Sequence, residues 1–104
     1  MFWMYMLECS DKSFYVGHSD NLESRIGQHH TGFFQNCYTF ARRPVRLVFA
    51  QPFGTREEAL AMERRVKGWS RAKKTALIRG DWQEISRLAR SSSLRQAPDS
   101  RETE

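Results

Sequence analysis

Two short β-prone runs around a polar turn constrain the fold of this chain more than any other feature. Residues 2–7 read FWMYML and residues 14–16 read FYV, with the turn-like segment CSDKS between them. Aromatic and apolar runs of this length, separated by turn-forming residues, are typical of a β-hairpin. If the turn centres near Ser10, Tyr5 and Tyr15 stand opposite each other and share one face of the sheet.

The segment after the hairpin carries the signals of a helix and then a strand. Gly17 ends the second strand, and Asp20 with Glu23 three residues later is a capping signature that opens a helix through about His30. Gly32 closes this helix. Leu22 and Ile26 then lie on one helical stripe, and the four-residue step from Arg25 to His29 places that pair on another.

Residues 33–43 form the next segment and are expected to be a loop rich in aromatic residues. Pro44 opens a third strand over residues 45–50, in which Val45, Leu47 and Phe49 alternate with polar or outward positions. Pro52 and Gly54 mark the end of this strand.

The second half of the chain predicts helices. Thr55 and Glu58 form a capping box for a helix through Lys67, and Ser70 caps another over residues 71–78. Residues 82–89 predict a fourth. The order β-β-α-β-α-α indicates an α+β domain with a small three-stranded antiparallel sheet flanked by helices. The expected organisation is a domain over residues 1–80, a C-terminal helix within 81–90 and a disordered tail over 91–104.

Length, charge and cysteine content narrow the classes of function. The 104 residues suit one domain, and 17 basic against 12 acidic side chains give a net charge of +5 that favours a polyanionic partner. Cys9 and Cys37 are too few for a disulfide framework or a zinc quartet, so reduced thiols are expected. The opening MFWMYML lacks the flanks and cleavage site of a signal peptide and is too short to cross a bilayer, which predicts a cytoplasmic protein without membrane attachment.

A set of spaced residues then suggests a family. Trp3-Met4-Tyr5 is followed by Tyr15-Val16-Gly17, and Arg25, His29 and the helical Glu63 come later. This combination resembles the GIY-YIG nuclease family, in particular its small stand-alone bacterial members whose first motif begins with an aromatic residue. The resemblance runs from Phe2 to about Ile78. Trp3-Met4 stands where the motif has Gly-Ile, Val16 stands for Ile, and His18 follows the glycine.

The resemblance implies hydrolysis of a phosphodiester with Mg²⁺ or Mn²⁺ as cofactor. Glu63 would be the metal ligand, Arg25 would stabilise charge on the phosphate, and Tyr15 would be the general base. Tyr5 would position the water or the hydrated metal, and His29 would contact the same phosphate or pass a proton. A phenol has a pKa of about 10, so the base role requires a nearby cation.

Each of these residues also has a plainer interpretation. Glu63 could be a solvated helix position, Arg25 an exposed helix arginine, and Tyr5 and Tyr15 core aromatics. His29 could be a surface histidine, and His30 is assigned to that role.

Further residues are expected to bind substrate. Gly17 would let the backbone pass close to it, while Tyr38 and Lys67 would complete the site. Contacts to the phosphate backbone, which make binding sensitive to salt and carry little sequence information, are expected from a set of basic residues: Arg42, Arg43, Arg46, Arg64, Arg71, Lys73 and Lys74.

Three functions remain open from the sequence. The first is a metal-dependent endonuclease acting on nucleic acid, DNA in preference to RNA, with nicked, branched or single-stranded substrates in view. The second is a nucleic-acid-binding module with an inactive site. The third is a protein-interaction domain that uses the aromatic loop. Oligomeric state is left open.

Overall fold

A three-stranded antiparallel sheet in the order β2-β1-β3 organises the first part of the chain. The computed structural model describes residues 1–96, with side chains through residue 90. The strands are β1 (Phe2–Glu8), β2 (Phe14–Ser19) and β3 (Arg46–Phe53). The helices are α1 (Leu22–Thr31), α2 (Arg56–Lys67), α3 (Arg71–Arg79) and α4 (Trp82–Gln96). The predicted α+β class and element order are confirmed.

The central strand β1 is buried on both faces. Met4, Tyr5, Met6 and Leu7 are all 0% exposed. Tyr5 and Leu7 belong to a core cluster with Cys9 and Val45, against which Leu22, Ile26, Tyr15 and Ala50 pack. A central strand with both faces covered has apolar residues at successive positions. This explains why polar and apolar residues do not alternate in MFWMYML.

The hairpin register differs from the predicted one by two residues. Tyr5 pairs with Gly17, and Tyr15 pairs with Leu7. The prediction that Tyr5 and Tyr15 stand directly opposite is therefore wrong. A shift of two residues preserves the face on which each side chain lies, so the two tyrosines remain diagonal neighbours on one face.

The N-cap of helix α1 lies one residue later than predicted. The N-cap is Asn21, whose side chain accepts a hydrogen bond from the Ser24 backbone N–H at 3.1 Å, so the assignment of Asp20 is corrected. Asparagine and aspartate cap equally well, and sequence alone does not separate two adjacent candidates. Gly32, at φ +77°, ends the helix in the left-handed conformation as predicted.

The third strand starts and ends later than predicted, and its alternation is interrupted. A register shift between Met6 and Leu7 leaves Val48 as an extra residue, since Met6 pairs with Phe49 and Leu7 with Leu47. A bulge of this kind reverses the facing of residues on its two sides. Leu47 is consequently 40% exposed instead of packing with Phe49. Pro52 lies inside β3, which an edge strand tolerates.

The helical half follows its capping signals. Thr55 and Glu58 exchange the two hydrogen bonds of the predicted box, each at 3.2 Å, and Ser70 caps α3 by accepting from the Lys73 backbone N–H. Helix α4 extends to Gln96, so its predicted end and the predicted start of a tail at Ser91 are both too early. The rest of the predicted tail, residues 97–104, lies outside the described residues.

The chain divides into two compact units, one over residues 1–64 and one that begins at Arg65. The first contains the sheet, α1 and most of α2. In the second, α3 and α4 contact each other, and the buried residues are Val66, Ala76, Leu77 and Ile85. Over the described part of the chain, no helix has the length and apolar character needed to cross a membrane.

Candidate active site

The two tyrosines of the hairpin meet above a glycine. Because β1 places Tyr5 opposite Gly17, the phenol of Tyr5 lies directly over the glycine backbone, and a Cβ at Gly17 would stand 2.7 Å from Tyr5 Oη. The ring centroids of Tyr5 and Tyr15 are 6.3 Å apart. Gly17 is thus required for the close approach of the Tyr5 ring. The sequence predicted a close approach of the backbone to substrate, which stays a prediction.

His29 is drawn into this cluster from α1. It is 2% exposed, so the interpretation as a surface histidine is wrong. Its Nε2 lies 2.9 Å from Tyr5 Oη, and its Nδ1 lies 2.9 Å from Thr39 Oγ1. Its ring centroid stands 5.1 Å from that of Tyr15. His29 follows Leu22 by two helical turns, which brings it onto the buried side of α1.

The hydrogen bonds around His29 indicate which of its two ring nitrogens carries the proton. Thr39 Oγ1 donates to Cys37 Sγ at 3.5 Å, which leaves its lone pairs to accept from His29 Nδ1–H. The neutral His29 Nε2 then accepts from the Tyr5 hydroxyl. Burial first, and then the positive charges of Arg25 and His30, lower the pKa of His29 to about 4. The imidazole is therefore neutral at neutral pH.

Cys37 joins the second tyrosine to the same network. Burial acts to raise the pKa of Cys37, but hydrogen bonds from Thr39, Tyr15 and the Tyr38 backbone outweigh it, and the pKa is lowered overall. The chain of contacts therefore runs from Tyr5 through His29, Thr39 and Cys37 to Tyr15. The sequence assigned Cys37 no role and did not single out Thr39, because neither the spacing nor the chemistry of a lone thiol in a loop indicates such a contact.

Both phenols are protonated at neutral pH in this environment. Burial raises the pKa of Tyr5 to about 12, against an opposing effect of the Arg25 charge and hydrogen bond. Burial raises the pKa of Tyr15 as well, and the neighbouring Tyr5 and Cys37 add to the effect. The sequence required a cation near Tyr15 for its role as a base, but the charge of Arg25 acts on Tyr5, where its effect on the pKa is smaller than that of burial.

Arg25 lies at the edge of the cluster, half-buried. One of its terminal nitrogens donates to the His18 carbonyl at 3.5 Å, and the guanidinium carbon lies 5.3 Å from the centroid of the Phe34 ring. Phe34 also contacts His29, with ring centroids 5.2 Å apart. Phe34, in the aromatic loop, therefore packs against both Arg25 and His29 of α1. Phe33, its neighbour in the loop, is 65% exposed.

Glu63 reaches the cluster from α2 and is only 8% exposed, which excludes the solvated interpretation. Its Oε1 lies 2.5 Å from His18 Nδ1, and its charge acts on both Tyr5 and Tyr15. Among the described residues there is no group of three or more His, Cys, Asp or Glu side chains that could hold a metal. One buried carboxylate suits Mg²⁺, which keeps several waters and uses one or two protein carboxylates, so the donor set fits such an ion.

The predicted substrate-binding residues fall into two groups. In the aromatic loop, Arg42 stacks on Tyr38 with its guanidinium carbon 3.8 Å from the ring centroid, and its Nε donates to Asp11 at 3.1 Å. Arg43 lies 4.5 Å over the Phe40 ring and donates to the Phe40 carbonyl.

The second group lies in the unit that begins at Arg65. Lys73 stands over Trp69 at 4.6 Å, and burial lowers the pKa of Lys73. Lys67 is exposed at the end of α2. Their roles stay predictions.

Two other basic side chains have specific partners. Arg46 pairs with Glu8 at 2.6 Å, so its charge is partly neutralised. His30 was expected to be a surface histidine without a task, but its Nε2–H donates to the Val45 carbonyl at 3.1 Å. It therefore fastens α1 to the start of β3.

Comparison with known proteins places this chain among relatives of one family. The model of the GIY-YIG catalytic domain matches residues 1–76. A UPF0213 protein of Syntrophus aciditrophicus is 40% identical over 77 residues, covering 74% of this chain and 88% of that protein. A UPF0213 protein of Haloquadratum walsbyi is 40% identical over 75 residues, covering 72% of this chain and 83% of its own length.

A solved structure resembles the fold. The solution NMR structure of a UPF0213 protein from Bacillus halodurans has a TM-score of 0.50 and 36% identity, covering 86% of this chain and 98% of that one. With the tyrosine pair, Arg25, His29 and Glu63 in one cluster and the domain model covering residues 1–76, the chain belongs to the GIY-YIG nuclease family.

Proposed function

We propose that this protein is a metal-dependent endonuclease that hydrolyses phosphodiester bonds in DNA. The observation that carries the proposal is the convergence of five side chains from four elements in one cluster. Tyr5 bonds to His29, and Tyr15 packs on both. The charge of Glu63 acts on both tyrosines, and the charge of Arg25 acts on Tyr5. Tyrosine, arginine, histidine and a carboxylate together supply a water-orienting group, a phosphate clamp and a cation ligand.

Glu63 is the residue that would hold the cation. When bound, Mg²⁺ or Mn²⁺ would neutralise charge on the phosphate. A buried carboxylate without a hydrogen-bond partner is costly, and here the contact between Glu63 and His18 offsets that cost. The carboxylate is thus kept in a fixed position near the tyrosines.

Arg25 is the proposed phosphate clamp. Its guanidinium has five N–H donors, and its bond to the His18 carbonyl uses one terminal nitrogen at the long distance of 3.5 Å. Contact with Phe34 restrains the side chain. A donor placed in advance for the charge that develops on phosphorus is typically worth about 10²–10³ in rate.

Tyr15 is the proposed residue that faces the attacking water. As a phenol it can accept a hydrogen bond from water through a lone pair, and its interaction with Cys37 contributes to the raised pKa of Tyr15. It can therefore orient the water without ionising. To remove the proton of the water it must first become a phenolate, which burial opposes in this structure and a nearby cation would favour.

His29 and Tyr5 are proposed to fix the rest of the geometry. The neutral imidazole holds the Tyr5 hydroxyl in place from one side and Thr39 from the other. Tyr5 Oη, locked above Gly17 with its proton directed to His29, then has a lone pair that can accept a hydrogen bond from a water, including a water of the hydrated cation.

A second candidate is a nucleic-acid-binding module without catalysis. The observation that favours it is that burial keeps both tyrosines protonated, which is unsuited to a general base. In this case the net charge of +5 would supply binding without cleavage.

A substrate panel separates the two functions. The purified full chain is incubated with nicked, branched, single-stranded and duplex DNA and with matched RNAs, in Mg²⁺, in Mn²⁺ and in EDTA. The endonuclease predicts metal-dependent cleavage of at least one DNA. Retention of DNA with no cleavage in either metal would support the binding module and contradict the endonuclease.

A further inference from the structure

His18 follows the glycine of the second motif, and it touches two members of the candidate site. Its imidazole Nδ1 lies 2.5 Å from Glu63 Oε1, and its backbone carbonyl accepts a hydrogen bond from Arg25. It follows Gly17 on β2, opposite Met4 of the buried central strand. The strand therefore fixes the backbone from which the imidazole extends to Glu63.

We propose that His18 is a second protein ligand for the cation held by Glu63, and that the resulting nitrogen and oxygen pair selects a transition metal such as Mn²⁺ over Mg²⁺. This inference rests on the proposed function only in taking Glu63 to be the metal ligand.

The geometry of the pair supports shared coordination. With metal–donor bonds of about 2.1 Å, two ligands of one ion stand roughly 3 Å apart. His18 Nδ1 and Glu63 Oε1 are already 2.5 Å apart, so a small separation of the two side chains would let both reach one ion. Their side chains are 24% and 10% exposed, which leaves a path from solvent on the His18 side.

The chemistry of the donors sets the selectivity. Magnesium strongly prefers oxygen ligands and an octahedral shell that retains water. Imidazole suits transition metals, whose affinity for mixed nitrogen and oxygen sites rises from Mn²⁺ along the series. A site with Glu63 alone would accept Mg²⁺ readily, whereas the addition of His18 shifts preference toward the transition metals.

The alternative role of His18, as a hydrogen-bond partner of Glu63 and not a metal ligand, makes a different prediction. If His18 serves only as the hydrogen-bond partner of Glu63, it competes with a cation for the carboxylate. Its removal would then leave metal affinity unchanged or raise it. The two interpretations predict effects of opposite sign on the same variant.

The test is direct measurement of Mn²⁺ binding to the full chain in the absence of nucleic acid. Free Mn²⁺ is followed by its electron paramagnetic resonance signal up to millimolar concentrations, and Mg²⁺ affinity is obtained by competition. For His18→Ala we expect Mn²⁺ affinity to fall at least about 10-fold, with a much smaller change for Mg²⁺. His30→Ala is the matched control, because the His30 imidazole bonds to the Val45 carbonyl and not to Glu63. Once circular dichroism shows that this variant is folded, it should bind Mn²⁺ like the wild type.

A second readout identifies the type of ligand atom directly. Electron spin echo modulation of Mn²⁺ bound to the wild type should show coupling to an imidazole ¹⁴N, and this coupling should be absent in His18→Ala. No bound Mn²⁺, no nitrogen coupling, or equal or tighter binding by the variant would each overturn the inference.

The outcome is separable from the proposed function. Metal-dependent cleavage of DNA without nitrogen coupling would leave the endonuclease standing and remove His18 as a ligand. Nitrogen coupling without cleavage of any substrate would leave the metal site standing and remove the endonuclease.

Discussion

At the scale of single residues, the site depends on one missing side chain. Gly17 leaves room for the Tyr5 ring, and an added Cβ would lie 2.7 Å from Tyr5 Oη. Tyr5 is 0% exposed, so its ring has little space in which to move away. The hydrogen bond between Tyr5 and His29 is therefore tied to the identity of residue 17.

We predict that Gly17→Ala lowers the free energy of unfolding by about 1–3 kcal/mol, the usual cost of overpacking a buried site. Chemical denaturation measures the change. Gly27→Ala is the matched control, because a Cβ there meets no other atom within 4 Å and alanine is the better helix former. A Gly17→Ala protein as stable as the wild type would contradict the close packing of Tyr5.

The buried histidine gives a second prediction at this scale. The pKa of His29 is about 4 in the folded protein and 6.5 in its unperturbed state. Between these values the unfolded chain binds a proton that the folded protein does not, so stability falls as pH drops through this range. From pH 7 to pH 4.5 the contribution of His29 falls by about 2 kcal/mol.

Unfolding free energies of the wild type and His29→Gln at several pH values isolate this contribution. The wild type should lose about 2 kcal/mol more than the variant between pH 7 and pH 4.5. Parallel pH profiles for the two proteins would show that His29 titrates normally, and would contradict its burial.

Sequence predicted five cluster residues through their types and spacing, and they come together from the hairpin and from helices α1 and α2. It did not predict the contacts of His18, Thr39 and Cys37. Two of these lie in a loop whose path is set by tertiary packing. The contact of the third depends on which rotamer the imidazole adopts and on where α2 places Glu63.

At the scale of elements, local sequence signals were sufficient to predict helix ends that depend on a single capping residue or capping pair. Gly32, the Thr55 and Glu58 box and Ser70 all occur as predicted. The predictions were wrong where the structure depends on several residues that pair at once. The register of β1 and β2 depends on the geometry of a turn in which Lys12 takes a positive φ of 71°, and the bulge in β3 depends on pairing with β1. Neither has a local sequence signature.

Helix α2 deserves a test of its own because it carries Glu63. Replacing Thr55 with alanine removes the hydroxyl that accepts from the Glu58 backbone N–H. We expect a loss of about 1 kcal/mol in the free energy of unfolding, which is typical of a lost N-cap. Ser86→Ala, at an exposed position of α4, should change stability by less than about 0.5 kcal/mol. Equal effects of the two changes would mean that the box does not stabilise α2.

At the scale of the whole molecule, the excess of basic over acidic side chains is larger than the ion pairs of the fold require. The net charge is +5, and several arginines stack on aromatic rings with their guanidinium groups at the surface of the aromatic loop. Charge of this kind predicts binding to polyanions through phosphate contacts, whichever nucleic acid is the substrate.

The salt dependence of DNA binding tests that role. For Arg43→Gln we predict that the slope of log affinity against log salt becomes shallower by about 0.7–0.9, the value of one phosphate contact. Arg87→Gln is the control, because Arg87 is paired with Glu84 at 2.6 Å and should leave the slope unchanged. Binding to DNA that does not respond to salt would contradict a role for the basic surface.

We propose that the cluster around Gly17 cuts a phosphodiester bond with a cation held by Glu63. The most direct measurement is the single-turnover cleavage rate of Glu63→Gln, on the substrate that the wild type cuts best and in saturating Mn²⁺ or Mg²⁺. Loss of a cation that stabilises the transition state by several kcal/mol predicts a fall of about 10²-fold or more, with DNA binding retained. Glu57→Gln, an exposed acid in the first turn of the same helix, should cleave at the wild-type rate. Wild-type cleavage by Glu63→Gln would contradict the account.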